Sequence, residues 1–265
     1  MNSTTPDPDS TAFNRLRAIV TRLRAPDGCP WDREQTHATL RNDLIEEAWE
    51  VVDAIGRDDL AHLREELGDL LLQVVMHSQI ASEAGHFTLD EVVGEIAEKL
   101  VRRHPHVFGE KKLGDSGAVL KQWDEIKRQE KGAASVLDNI SPALPALMRA
   151  EKVQKRAARV GFDWPDIHGV IEKIHEELGE LEAARQEGDQ ARVDDELGDV
   201  LFSVVNLARK LKSQPELALQ QATHKFIGRF KKLEAVLAQR RLRFEQLTLA
   251  EMDEIWDTVK REAQP

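Results

Sequence analysis

The sequence predicts an all-α protein that contains two copies of one helical unit, and three observations support this prediction. Apolar residues recur every three to four positions along much of the chain, which is the period of an amphipathic helix. Strand signals are nearly absent, because the chain has no tyrosine and no sustained alternation of apolar and polar residues. A set of five acidic residues recurs 130 positions later with unchanged internal spacing. We therefore expect a tandem repeat of two helical bundles.

In the first copy, helical periodicity covers residues 43–55, 62–80 and 89–103. Two short segments that contain glycine, 56–59 and 83–86, are predicted to be the turns between these helices. The third helix is expected to end at a His-Pro-His sequence, because proline disfavours the helical conformation of the residue before it.

A loop at 109–117 and a helix that carries Trp123 complete the first copy. The second copy repeats the pattern, with helices predicted at 167–186, 191–211 and 215–239. Both copies therefore present two long neighbouring helices, followed by a third.

Flanking motifs show how far the repeat extends. The segment 28–31 reappears at 161–164, and the segment 123–128 reappears at 256–261. Both pairs have an offset of 133 rather than 130. The difference indicates small length changes in the connections, which tolerate them better than packed helices do.

The boundary between the copies is predicted near residue 140, where glycine and proline residues cluster. We predict domains at 13–138 and 145–262. Each is of the usual size of a small domain, and a chain of 265 residues accommodates both.

Composition limits the classes of function. The chain is 41% hydrophobic and 32% charged, which is typical of soluble globular proteins. It has no apolar run of about 18 residues and a polar N-terminus, so we expect a cytoplasmic protein without a membrane partner. A net charge of -11 argues against nucleic acid as the main partner. The single cysteine, Cys29, cannot form an internal disulfide.

The repeated acidic residues predict a metal site in each copy. Two facing helices can direct four or five of these carboxylates to one point, because their spacing keeps them on one side of each helix. An unneutralised cluster would repel itself, and oxygen ligands favour Mg²⁺, with Mn²⁺ as a possible substitute. The residues are Glu46, Glu47, Glu50, Glu66 and Asp69 in the first copy and Glu176, Glu177, Glu180, Glu196 and Asp199 in the second.

Other readings of the acidic sequences are weaker. A single Glu-Glu-x-x-Glu sequence is commonly a solvent-exposed helix face, and it is the repetition with the same 16-residue gap between the two parts that favours a metal site. A di-iron bundle needs Glu-x-x-His on two helices. The chain has one such match, Glu172 to His175, so we interpret His175 as an ordinary helix residue.

Basic residues follow each acidic set and suggest a polyphosphate ligand. In each copy a lysine and an arginine lie one helical turn apart. If they face the carboxylates, the arginine can bind phosphate oxygens in a bidentate manner and the lysine can act as a point charge. The pairs are Lys99 with Arg103 and Lys225 with Arg229.

A tryptophan follows each basic pair and has two possible roles. Trp123 is followed by Lys127, and Trp256 is followed by Lys260. The indole rings suit stacking on a nucleotide base as well as closure of the hydrophobic core, and the sequence does not separate these roles.

These features together resemble the MazG family of nucleoside triphosphate pyrophosphohydrolases, within the all-α NTP pyrophosphatase group. The resemblance covers roughly residues 13 to 262 and therefore matches the two-domain form. It implies Mg²⁺-dependent cleavage of NTPs and dNTPs between the α and β phosphates, and a homodimer in which the units pack into larger bundles. It rests on both acidic sets, on Cys29-Pro30-Trp31-Asp32 and on Arg102-Arg103-His104-Pro105-His106-Val107-Phe108.

The resemblance also implies roles for single residues. In the second copy the implied metal ligands are Glu177, Glu180, Glu196 and Asp199, and the implied substrate contacts are Lys173, Lys225, Arg229, Trp256 and Lys260. Glu176 or Glu177 is the candidate that orients the attacking water. A second possible site in the first copy has Glu47, Glu50, Glu66 and Asp69 as ligands and Lys99, Arg103, Trp123 and Lys127 as substrate contacts.

The main active site is expected in the second copy, by resemblance to two-domain members of the family. The first copy departs from the second at Trp49, which stands where the second copy has Gly179. The bulky ring either narrows the pocket or packs in the core.

Two alternatives stay open at the level of sequence. One is a narrow dUTP or dCTP pyrophosphatase, since the same carboxylates serve such enzymes. The other is a non-catalytic helical module, stiffened by metal, that binds a protein partner. A regulatory protein partner is not identified by the sequence.

Overall fold

A computed structural model of the chain describes residues 11–109, 114–131 and 135–262, and all regular elements within these ranges are helices. The all-α prediction is confirmed. Within the described ranges, no helix is long and apolar enough to cross a bilayer.

The chain divides into two compact units, residues 1–127 and 128–265, which are called unit 1 and unit 2 below. The division falls about a dozen residues before the boundary predicted near residue 140. The domain limits 13–138 and 145–262 stay a prediction.

Unit 1 is organised around its longest helix, α4, which contacts α1, α3 and α5. Its core contains Val20 of α1 with Val75 and Met76 of α4, closed by Leu40 and Leu89. The helices are α1 (Ala12–Arg24), α2 (Pro30–Glu34), α3 (Arg41–Gly56), α4 (Leu60–Glu83), α5 (Leu89–Arg103), α6 (Pro105–Phe108) and α7 (Ser116–Lys131), the last of which continues past the unit boundary.

Unit 2 repeats the central hairpin with α9 and α10, and α10 also contacts α8 and α11. A second apolar cluster joins α11 to α12 through Leu233, Leu237 and Ile255. The helices are α8 (Ala146–Arg159), α9 (His168–Glu187), α10 (Gln190–Lys210), α11 (Pro215–Arg240) and α12 (Leu249–Glu262), with a short 3-10 helix (Phe244–Gln246) before α12.

The turn of the central hairpin has the same conformation in both units. Asp58 between α3 and α4 has φ of 56°, and Gly188, 130 positions later, has φ of 74°. The next residue in each unit caps the following helix: the Asp59 carboxylate accepts a hydrogen bond from the His62 amide, and Asp189 accepts from two amides at the start of α10. The repeat therefore extends to the backbone of the turn.

In each unit, one glycine before or at the start of the central hairpin permits close packing. A side chain on Gly28 would lie 2.2 Å from the carbonyl oxygen of Leu23, and one on Gly169 would lie 2.3 Å from the ring of Trp164. Any larger residue would displace these neighbours. In the motif at 161–164, the counterpart of Gly28 is Gly161, whose φ of 90° favours glycine for a different reason.

The seven predicted helices are confirmed, with ends that differ by up to three residues for the six with stated limits. The loop predicted to end at Gly117 ends earlier, because α7 already begins at Ser116. Five helices were not predicted: α1, α2, α6, α8 and α12.

Candidate metal centre

Three carboxylates of unit 2 converge between α9 and α10. One carboxylate oxygen each from Glu177, Glu196 and Asp199 lie within 4.8 Å of one another. Glu177 is almost fully buried at 4% exposure, Glu196 is half-buried and Asp199 is exposed. The group therefore reaches from the hairpin interior to solvent.

Two further predicted acidic residues lie at the edge of this group. The charge of Glu196, with burial and the charge of Glu177, raises the pKa of Glu180. Glu180 is thus near enough to these carboxylates to be repelled by them, but it is not one of the three that converge. Glu176 has an exposed side chain. It forms an ion pair with Lys173 and does not belong to the converging carboxylates.

Two cations contact the unit 2 carboxylates. The Lys173 ammonium lies 2.8 Å from a carboxylate oxygen of Glu176 and 2.8 Å from one of Glu177. These hydrogen bonds raise the pKa of Lys173 above its ordinary value. Arg192, one turn before Glu196 on α10, lies 3.6 Å from the Glu196 carboxylate. Arg192 was not predicted as a site residue, although its i,i+4 spacing from Glu196 was the available signal.

Unit 1 forms the same triad between α3 and α4. Oxygens of Glu47, Glu66 and Asp69 lie within 4.8 Å of one another. Here Glu66 is the buried member at 6% exposure, whereas Glu47 and Asp69 are half-buried. Burial of the α4 glutamate rather than the α3 glutamate distinguishes this centre from the one in unit 2.

The unit 1 carboxylates repel one another. Burial raises the pKa of Glu47, and the charges of Asp69 and Glu50 raise it further. Burial and the charge of Glu50 likewise raise the pKa of Glu66, while His62 acts in the opposite direction. The His62 ring nitrogen lies 3.2 Å from the Glu66 carboxylate. A cation placed among these groups would relieve the repulsion.

The predicted substrate contacts of unit 2 lie on α11 and α12. Lys225 is exposed and Arg229 is half-buried, with a buried Nε that has no hydrogen-bond partner. Trp256 packs in the α11–α12 apolar cluster, and its ring centre lies 5.2 Å from that of Phe226. Lys260 is paired with Asp257 at 2.6 Å. None of these residues forms an ion pair with the carboxylate triad, so the structure does not bring them into direct contact with it.

In unit 1 the corresponding residues are on α5 and α7. Lys99 and Arg103 are both half-buried, and the Arg103 guanidinium lies over the Trp123 ring, 5.8 Å from its centre. This cation-π contact joins the two predicted substrate contacts to each other. The side chain of Lys127 lies outside the described residues.

The donor set fits a hard divalent cation. Among the described residues, the two groups that can hold a metal ion consist of carboxylates alone. Oxygen ligands of this kind suit Mg²⁺ or Mn²⁺. His175 is an exposed residue of α9 outside both groups, so the described site gives no support to a di-iron centre. The identity of the ion is a prediction.

Comparison with known proteins identifies the repeated hairpin. The MazG nucleotide pyrophosphohydrolase domain matches the chain twice, over residues 35–108 and 166–234. Each matched segment contains one central hairpin with its carboxylate triad.

Similar proteins occur in several bacteria, and two of these proteins match over nearly the whole of both chains. The chain is 48% identical over 256 residues to a nucleoside triphosphate pyrophosphohydrolase of Escherichia coli (strain K12), covering 94% of this chain and 97% of that protein. It is 48% identical over 250 residues to the nucleoside triphosphate pyrophosphohydrolase/pyrophosphatase MazG of Thermotoga maritima, covering 94% and 95%. It is 41% identical over 163 residues to a nucleoside triphosphate pyrophosphohydrolase of Mycobacterium tuberculosis, covering 58% and 48%.

Proposed function

The chain belongs to the MazG family of nucleotide pyrophosphohydrolases, and from this premise we propose that unit 2 cleaves nucleoside triphosphates between their α and β phosphates. The enzyme is a hydrolase that acts on a phosphoric anhydride. The products are a nucleoside monophosphate and pyrophosphate, from ribonucleotides and deoxyribonucleotides.

The observation that carries this proposal is the carboxylate triad of Glu177, Glu196 and Asp199, held within 4.8 Å inside a family-matched segment. A triphosphate carries several negative charges and cannot approach such a group without a bridging cation. The triad therefore favours a metal-bound polyphosphate as the substrate over an uncharged ligand.

The residues of unit 2 have different roles in the proposed reaction. When bound, Mg²⁺ would supply Lewis acidity and neutralise charge that develops on the phosphates. Glu177, Glu196 and Asp199 would hold the ion, with Glu180 beside them. Lys173 fixes the orientation of Glu177 through its 2.8 Å contact. The α11 cations Lys225 and Arg229 have no ion-pair partner among the described residues and are available to phosphate oxygens.

Water activation is assigned to an exposed carboxylate. Of the two candidates, Glu177 is buried in the ligand group, whereas Glu176 is 58% exposed. We assign to Glu176 the orientation of the attacking water and acceptance of its proton. The water oxygen bonds to the α phosphorus, the bond from that phosphorus to the α-β bridging oxygen breaks, and pyrophosphate leaves with the bridging oxygen.

The proposal is tested by product analysis. The purified chain is incubated with Mg²⁺ and each of the eight common NTPs and dNTPs, and products are separated by anion-exchange chromatography. Monophosphate plus pyrophosphate, lost in EDTA and in the variant Glu177→Gln, is the expected result. Diphosphate plus phosphate would overturn the cleavage site. Turnover of dUTP or dCTP alone would narrow the substrate class, and no turnover would favour a non-catalytic module.

A homodimer is proposed on separate grounds. Both α4 and α10 carry an apolar stripe that stays between 38% and 51% exposed, at positions related by the offset of 130. A duplicated stripe of this kind is typical of a helix face that another subunit covers. The residues are Leu67, Leu71 and Val74 on α4 and Leu197, Leu201 and Val204 on α10.

The oligomeric state is measured by analytical ultracentrifugation. We expect a dimer for the natural chain and dissociation for the double variant Leu71→Glu/Leu201→Glu, because a charge buried in an apolar interface is costly. The exposed pair Arg64→Glu/Asp194→Lys, which also changes charge on both helices, serves as the control. A monomeric natural chain would contradict the proposal.

A further inference from the structure

Two positions beside the carboxylates have a permanent positive charge in unit 2 but not in unit 1. Lys173 of unit 2 corresponds to Asp43 of unit 1, and Arg192 corresponds to His62, both at the offset of 130. In unit 2 these two cations contact three of the acidic residues. In unit 1 one position adds a further carboxylate and the other a histidine.

The charge difference is large when the same seven positions of each centre are counted. Unit 1 has six carboxylates and a histidine, a formal charge of -6 with the histidine neutral. Unit 2 has five carboxylates, a lysine and an arginine, a formal charge of -3. An incoming triphosphate therefore meets three more negative charges in unit 1, partly screened by solvent.

The other predicted substrate contacts are present in both units. Unit 1 retains Lys99, Arg103 and Trp123 at the positions that match the α11 cations and Trp256. The triad geometry is retained as well, since three oxygens lie within 4.8 Å in each unit. At the positions of Lys173 and Arg192, unit 1 thus lacks a lysine and an arginine.

We propose that Asp43 and His62 determine the ligand specificity of the unit 1 centre. They leave it able to bind a divalent cation and prevent it from holding the metal-bound triphosphate, which Lys173 and Arg192 allow in unit 2. The inference rests on the proposed function of unit 2.

A steric explanation competes with this electrostatic one. Trp49 of unit 1 is half-buried, and a Cβ atom built on its counterpart Gly179 would meet nothing within 4 Å. Unit 2 thus has open space where unit 1 has a ring. Replacement of Trp49 must therefore be compared directly with replacement of Asp43 and His62.

The decisive experiment is a gain of function. In the background Glu196→Ala, which removes the unit 2 centre, we add Asp43→Lys and His62→Arg and measure two quantities. These are turnover of the best NTP with Mg²⁺, and calorimetric binding of its non-hydrolysable α,β-methylene analogue. We expect turnover to rise by at least about ten-fold and Mg²⁺-dependent analogue binding to appear, because the charge at both positions is reversed or made permanent. Trp49→Gly in the same background is expected to change neither quantity.

The reverse exchange protects the test against a variant that fails to fold. Lys173→Asp with Arg192→His in the natural chain should raise KM by at least about ten-fold and weaken analogue binding equally, while the Tm in Mg²⁺ stays within a few degrees.

The outcomes are separable. Unchanged KM in the reverse variant, or activity gained with Trp49→Gly but not with the charge exchange, would overturn the inference. No turnover by the natural chain would instead remove the proposed function itself.

Discussion

The two carboxylate centres have the same triad geometry but different surroundings. In unit 2 the α9 glutamate, Glu177, is buried and held by Lys173, whereas in unit 1 the α4 glutamate, Glu66, is buried and faces His62. In both units the carboxylates meet because two packed helices present them at matching positions. The comparison teaches that neighbours one helical turn away, not the triad, separate a centre suited to a polyphosphate from one suited to a cation alone.

The largest expected difference is in activity. Glu196→Ala should lower kcat/KM by at least about 100-fold, because it removes a metal ligand of the proposed active centre. Its counterpart Glu66→Ala should leave kcat/KM within about two-fold. Steady-state kinetics with saturating Mg²⁺ measures both. Equal losses in the two variants would contradict the assignment of activity to unit 2.

Without nucleotide, the unit 1 centre should bind Mg²⁺ more tightly than the unit 2 centre. Without nucleotide, Mg²⁺ at about 100 times its Kd stabilises a folded protein by about 2.7 kcal/mol. We expect Glu47→Gln/Glu66→Gln to remove more of the Mg²⁺-induced rise in Tm than Glu177→Gln/Glu196→Gln. The reason is that Lys173 and Arg192 compete with the ion in unit 2, whereas the matching positions of unit 1 are Asp43 and His62. Differential scanning calorimetry with and without EDTA checks this order, and a larger loss in the unit 2 variant would refute it.

A histidine pair gives unit 1 a source of pH dependence at a position where unit 2 has a leucine. The Nδ1 atoms of His37 and His77 lie 2.8 Å apart, the rings are nearly parallel at 7°, and their centres are 5.1 Å apart. The difference between these distances is about 2.3 Å, the combined centre-to-nitrogen radii of two imidazoles, so the rings meet head to head in one plane. In this hydrogen bond one Nδ1 donates its proton and the other Nδ1 accepts it. The bond is lost when both rings are protonated, because neither Nδ1 can then accept.

Protonation of His77 should therefore lower the stability of unit 1 in acid. Burial, with the charge of His37, lowers the pKa of His77 below its ordinary value of 6.5. The unfolded state then binds more protons, so this contribution to stability is present above pH 6.5 and is lost as the pH falls through the folded pKa. Unit 2 has Leu207 at the matching position. We expect His77→Leu to flatten the fall in Tm below pH 6.5; an unchanged pH profile would argue against the shared proton.

Ion pairs that secure the hairpin should differ more modestly. Asp163 of unit 2 is paired with both Arg209 and Lys210, which lowers its pKa. In unit 1, Glu83 has one cationic partner among the described residues, which is Arg24. Because the first change leaves two cations without a carboxylate, Asp163→Asn should lower the free energy of unfolding by about 1–3 kcal/mol and Glu83→Gln by less. Urea denaturation of both variants tests the order, which a larger loss for Glu83→Gln would reverse.

Much of the fold was predictable because the long helices bury a continuous apolar face. Periodicity located α3, α4 and α5 and their repeats, and the offset of 130 predicted that Glu66 and Asp69 would converge with Glu47. Short helices escaped prediction, since α2 and α6 span only five and four residues and complete too few turns to show a period. The charged helices α1 and α8 and the terminal α12 were also missed.

The contacts around the triads were harder to predict than the triads. Sequence spacing shows that Lys173 and Arg192 are within reach of glutamates one turn away, but it does not show which partner each selects. Lys173 contacts two glutamates at once, and Arg192 lies closer to Glu187 than to Glu196. Those choices depend on side-chain rotamers and on local exposure, which the sequence pattern does not encode.

The hairpin turn offers a route for protein engineering. Asp58 keeps a left-handed backbone that Gly188 adopts without steric cost, so unit 1 holds strain at a point outside its carboxylate triad. The substitution Asp58→Gly should raise the free energy of unfolding by up to about 1 kcal/mol. It changes no residue of either carboxylate centre. Because the two units share one backbone, a residue that suits a position in one unit can guide a stabilising substitution at the matching position of the other.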